Sequence, residues 1–188
     1  MLILILGACK IESQNPGEVG LIKEKFDLDI MDKYDGGDVI VFDSGVYSLK
    51  GGKDTNLRLK LTSFDKGKER EIFDITFPNL EEGEKLGFEL SSRQVNVYEI
   101  SENRISQITK FDYEDKVFQN NQARVWQWTE GGLLKDNEPF PVFAAFLTSS
   151  NEFSFIGIEN PDFRSQFKNN KDLSSLVLEL SVADRQKD

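Results

Sequence analysis

"NLRLKLTSFDKGKEREIFDITFP", residues 56–78, decides the fold class. Leu57, Leu59 and Leu61 alternate with Arg58, Lys60 and Thr62, so an extended chain here has one apolar and one polar face. The segment from Asp65 to Lys68, with Gly67 inside it, turns the chain. Beyond the turn Phe73, Ile75 and Phe77 share a face, and Pro78 stops the run because it has no amide hydrogen to donate. Two alternating runs joined by a short turn make an antiparallel hairpin with one face to bury.

The same grammar extends in both directions. Phe26, Leu28 and Ile30 alternate with Asp27 and Asp29, and Asp35-Gly36-Gly37-Asp38 is a turn signal. Val39 to Leu49 is β-branched and aromatic, interrupted by Asp43-Ser44-Gly45 and closed by Gly51-Gly52. A turn is expected around Glu81 to Lys85. Val95, Val97 and Tyr98 lead to Ile100, and Ser101-Glu102-Asn103-Arg104 turns into Ile105 and Ile108. Arg124 to Thr129 is a further strand, closed by Gly131-Gly132. Val142 to Leu147 and Phe153 to Ile158 flank Thr148-Ser149-Ser150-Asn151-Glu152 as an expected hairpin. Leu176, Leu178, Leu180 and Val182 form a last alternating strand. Helical signals are weak and confined to Gly17–Lys25 and Asp162–Asn169. The expectation is an all-β protein, an antiparallel β-sandwich of roughly eight to ten strands with little helix, filling residues 26–188 as one domain.

Composition narrows the chemistry. With Lys and Arg totalling 23 against 33 Asp and Glu, the net charge is -10, which repels nucleic-acid backbones and fits a well-solvated protein or one that meets a basic partner. There is no histidine, and Cys9 is the one cysteine. Serine–histidine and cysteine–histidine catalysis are therefore excluded, as are an internal disulfide and a cysteine-based zinc site. No phosphate loop or nucleophile elbow is present. No catalytic residue and no cofactor is assigned.

Three clusters remain as candidates. Asp27, Asp29, Asp32, Asp35, Asp38 and Asp43 crowd one segment, and oxygen ligands of that density suit calcium. The spacing does not match an EF-hand, which leaves Asp35 and Asp38 as weak calcium candidates beside the plainer reading of a solvated strand and turn. In "ARVWQWTEGG" (residues 123–132), Trp126 and Trp128 share a strand face. With Arg124 and Glu130 they form a candidate platform for a sugar ring or a partner's side chain, set against ordinary core packing. A carbohydrate-binding or glycan-processing domain is the alternative function this platform would serve. Acid pairs for glycoside chemistry could be drawn from Glu71, Asp74, Glu89, Glu99 or Glu130, which only their separation in space can test.

The opening "MLILILGACKIESQ" combines a run without charge, the small residues Gly7 and Ala8, and Cys9. Leu6-Gly7-Ala8-Cys9 resembles the lipobox of bacterial lipoproteins, in which a peptidase cuts before the cysteine and the cysteine then carries lipid. The resemblance implies a signal peptide over residues 1–8, beginning further upstream than Met1, and lipidation of Cys9. It implies a polar tether over residues 9–25 and, with Lys10 after the cysteine, an address at the outer membrane. A buried N-terminal strand on a soluble β domain is the alternative. "VNVYEI" (95–100), "FPVFAAFLTSSNEFSF" (140–155) and "LVLELSV" (176–182) are similar in order to the small β-sandwich outer-membrane lipoproteins of type VI secretion systems. That family works by docking a membrane complex and has no catalytic residues to carry over. It departs from this chain in placing its sandwich close to the anchor, where residues 26–90 intervene here. The expected partners are the membrane, through Cys9, and a protein of the envelope.

Overall fold

In the computed structural model residues 56–78 form the hairpin their alternation dictates. The structure describes residues 18–25, 28, 41–51, 55–78, 80, 83–113, 123–148 and 156–183. Its strands are β1 (Val19–Lys23), β2 (Val41–Lys50), β3 (Asn56–Asp65), β4 (Lys68–Pro78), β5 (Lys85–Ser91), β6 (Gln94–Ser101), β7 (Arg104–Asp112), β8 (Ala123–Trp128), β9 (Gly131–Leu134), β10 (Phe140–Thr148) and β11 (Leu173–Ala183), with one short helix, α1 (Ser165–Asn169). They make two antiparallel sheets, a first in the order β7-β6-β5-β2-β1-β9 and a second in the order β4-β3-β11-β10-β8. The protein is an all-β sandwich.

The inward faces supply the core. Leu57, Leu59 and Leu61 of β3 meet Leu176, Leu178 and Leu180 of β11 in the same buried cluster as Phe42, Tyr47, Phe88, Val95 and Val97 from the first sheet. Phe73 of β4 and Phe111 of β7 stack across the sandwich at 4.3 Å and 15°. The Tyr47 hydroxyl crosses the whole core to donate to the carbonyl oxygens of Thr129 (3.1 Å) and Val142 (3.2 Å). Burial, and secondarily the charge of Glu130, push that phenol above its ordinary value, so it stays a donor.

Both outward faces are partly covered as well. Ile158, Phe163 and Phe167 lie on the second sheet against Phe64, Ala144, Phe146, Leu173 and Val177. This explains why β11 is buried along its whole length, with apolar Val177 on the face opposite its leucines. Arg164 fastens the same segment. Its Nη2 lies 2.9 Å from Glu179 Oε2 and 3.8 Å from Glu69 Oε1, and its guanidinium sits over the Phe64 ring at 5.6 Å. On the first sheet Leu28 packs with Val46, Tyr98 and Ile100, and its amide donates to Ser44 Oγ at 2.8 Å.

Several expectations are corrected. Gly17–Lys25 is not helical: Val19–Lys23 is a strand seated between β2 and β9, with Val19 and Leu21 fully buried. The sandwich thus begins at Val19 rather than Phe26, inside the 9–25 stretch read from the sequence as a tether. The strand over Phe153–Ile158 fails at its described end, since β10 is already paired on both sides by β8 and β11 and Ile158 folds onto the outward face instead. Two strands were not anticipated, β5 and β9. Gly87 interrupts the apolar pattern of β5, yet a Cβ there would lie 2.7 Å from Leu28 Cδ1 and 2.8 Å from Ile100 Cδ1. Gly131, at φ 138°, opens β9 where a side chain would run into the Leu21 carbonyl. In the Asp162–Asn169 segment only Ser165–Asn169 is helical. The alternating run at 26–30 lies outside the described residues except for Leu28.

Candidate functional site

Each sheet ends in two strands with a free hydrogen-bonding side among the described residues, and such edges invite pairing with another chain unless something protects them. β4 is charged along its length, with Lys68, Glu69, Arg70, Glu71 and Asp74. β7 carries Arg104 and Lys110 and faces a register shift at Val97/Tyr98. β9 is only four residues long and begins with two glycines. β8 is the least protected of the four, with one charged residue, Arg124, near its start. It pairs with β10 in unbroken register from Ala123↔Thr148 to Trp128↔Phe143, without a proline, an acid or a bulge.

The structure separates the two tryptophans of this strand. Both face inward, but Trp128 sits deep in the core, 4.8 Å from the Phe143 ring and 6.4 Å from the rings of Phe88 and Tyr47. It is 8% exposed and packs flat over Gly45, where a Cβ would overlap the indole. Trp126, one pleat nearer the end of the strand, meets Phe42 edge-on at 5.9 Å and remains 38% exposed. The two indoles do not form a shared platform. Burial is the reason: β2 lacks a side chain at Gly45, and Trp128 fills the space. Glu130 points into solvent beside Lys23 Nζ at 3.7 Å, and Arg124 lies on β8 opposite Leu147. Acrylamide should therefore quench Trp126 alone. In a Trp126→Phe variant the remaining emission should be blue-shifted and nearly unquenched, and red-shifted, readily quenched emission would contradict this packing.

Exposed apolar side chains gather around β8. Of the four large ones among the described residues, Val41, Ile105, Trp126 and Ile156, two lie in its neighbourhood, Trp126 and Ile156. Ile156 belongs to the stretch that docks on the outward face of β8, where the Ile158 amide donates to Gln127 Oε1 at 3.3 Å. Gln166 fixes that stretch by accepting from the Ile156 amide and donating to its carbonyl oxygen, both at 2.9 Å. Glu130 and Glu159 place exposed carboxylates beside the strand. The pair was only partly legible in the sequence, because Ile156 comes near β8 through the fold and no spacing announces it.

Each of the acids considered for catalysis has a partner of its own. Glu71 pairs with Lys60 at 3.0 Å, and Asp74 accepts from Arg58 Nε at 2.7 Å. Glu99 pairs with Arg104 at 3.0 Å on one wall of an open groove of about 360 Å³ floored by Phe77, Pro78, Leu80 and Ile108. Glu89 is buried on the outward face of the first sheet in a cross-strand row with Ser44 and Asn96, where it accepts from the Tyr98 hydroxyl at 2.8 Å. Burial and that carboxylate push the Tyr98 phenol above its ordinary value. Among the described residues no group of three acidic, histidine or cysteine side chains is placed to hold a metal. Asp35, Asp38 and Cys9 lie outside the described residues, and no described helix is long and apolar enough to cross a membrane. No family model, curated protein or solved structure matches the chain.

Proposed function

We propose that this is a lipid-anchored envelope protein of bacteria whose β-sandwich has a non-catalytic role in binding or assembly, with the rim around β8 as its protein-contact surface. The observation that carries the reading is Leu6-Gly7-Ala8-Cys9 after an uncharged apolar run, followed by polar sequence and then the first described strand at Val19. A single acyl chain holds a protein to a bilayer only marginally, and the multiply acylated cysteine of such lipoproteins anchors it stably. The outer membrane is the proposed address. The burial of Trp128 removes the paired platform, and the exposed Trp126 suits a protein contact as a single aromatic anchor. A carbohydrate-binding or glycan-processing domain that uses Trp126 is the alternative reading.

Metabolic labelling with a palmitate analogue tests the anchor. The natural protein should take up label in a bacterial host that processes lipoproteins, and Cys9→Ser should abolish it and release the protein from the membrane fraction. A natural protein that takes up no label and retains residues 1–8 would overturn the envelope reading.

A further inference from the structure

We infer that β8 accepts an extended segment of a basic partner protein as an added strand, enlarging the second sheet from five strands to six. The inference rests on the binding role proposed above and specifies its mode and the chemistry of the partner. Among the described residues one side of β8 has no neighbouring strand, and it presents backbone donors and acceptors over Ala123–Trp128, a length of about 20 Å. Main-chain hydrogen bonds of this kind give affinity, and alternate side chains give specificity.

A strand laid beside β8 would alternate its side chains between the two faces of the sheet. On the inward side it meets the exposed flank of Trp126, and on the outward side it runs beside Val125, Gln127 and the stretch that begins at Ile156. An apolar residue opposite Trp126 gains an aromatic contact at the rim. Lysine or arginine in the same segment would meet Glu130 and Glu159, both exposed. The charge of the whole chain selects in the same sense. At -10 it attracts a basic segment and repels a second copy of itself.

Hydrogen exchange on the full 188-residue chain tests this, with a capped peptide of alternating lysine and valine as the probe and a peptide of alternating lysine and proline as its charge-matched control. The proline peptide keeps the charge, but proline at every second position fixes φ near about −65° and biases the chain to a polyproline helix, so it pairs poorly as an added strand. The lysine–valine peptide should add protection within residues 123–128 of the natural protein, and the proline peptide should not. Trp126→Lys should weaken the binding about tenfold, while Ile105→Lys on the opposite edge should leave it unchanged. Three results would each overturn the inference: no added protection at β8, equal protection by both peptides, or a β8 already protected in a protein that sediments as a dimer. The first two leave the Cys9 anchor untouched, so failure here and failure of the anchoring proposal are separable. Localising the protection in the natural protein keeps the test decisive even if Trp126→Lys folds poorly.

Discussion

Trp128→Ala should be the most damaging single substitution in the core, costing about 4 kcal/mol and lowering Tm by about 8–16 °C. The indole touches both sheets at once, with Phe143 in its own sheet's inward layer and Phe88, Tyr47 and Gly45 opposite. Truncation leaves a void between two hydrogen-bonded layers that cannot collapse without shifting backbone. Trp128→Phe should cost markedly less. Nε1 is buried without a protein hydrogen-bond partner, so removing it sacrifices area but no bond. Gly45→Ala supplies the complementary measurement. Alone it forces a methyl group into the ring and should cost about 2 kcal/mol. Combined with Trp128→Ala that penalty should vanish, because the methyl then enters empty space. Thermal and denaturant unfolding of the two single variants and the double variant measure the coupling. Additive losses would show that the two residues do not share the space assigned to them.

Arg164→Ala is expected to have the second-largest effect, for an electrostatic reason. Glu179 is 2% exposed, and the Arg164 guanidinium 2.9 Å away is its nearest positive partner, with Lys60 adding a weaker attraction. Burial holds the Glu179 carboxyl above its ordinary value of 4.5 in spite of both cations, and Glu69 adds to the rise. Removing Arg164 leaves a buried carboxylate with less compensation. A fully buried pair would lose more, but Arg164 is 33% exposed, so the expected cost is about 3 kcal/mol. Glu179→Gln in the same chain should restore most of it.

The pH dependence has a definite sign. A carboxyl whose folded value lies above its unfolded one contributes stability fully below 4.5 and loses that contribution as pH rises through the folded value. The Arg164→Ala deficit should therefore be greatest at neutral pH and narrow as pH falls towards 4.5, where the folded protein keeps the Glu179 proton. A deficit independent of pH would mean that Arg164 acts through its packing over Phe64 rather than its charge.

The sequence disclosed the sandwich wherever one face is apolar and the other polar. β3, β4, β6 and β11 could be read directly from alternating leucine, phenylalanine and valine. It concealed elements whose pattern is set by something outside the strand. β5 carries Gly87 because Leu28 and Ile100 occupy the space above it, and Glu89 because its side chain accepts from the Tyr98 hydroxyl. β9 begins with glycines because Leu21 backbone and the Phe140 ring press against them. β1 looked like the end of a polar tether or a short helix because it is short and flanked by polar residues, and its partners on both sides are distant in the chain. The candidate site shows the same division. Trp126 was visible as an aromatic on a strand, but only the fold distinguishes it from Trp128, and only the fold shows that β8 lies at an edge.

The link between β8 and β9 makes the sandwich behave like a book. Thr129 and Glu130 carry the chain straight from the border of one sheet to the border of the other, and the Tyr47 hydroxyl clasps the Thr129 carbonyl from inside. This is the spine. At the fore-edge β4 and β7 are not consecutive, and the stack of Phe73 on Phe111 holds the pages together. Opening motions should start at that fore-edge, with the spine as hinge. A partner gripping β8 would then hold the protein by its binding while the far side stayed free to part.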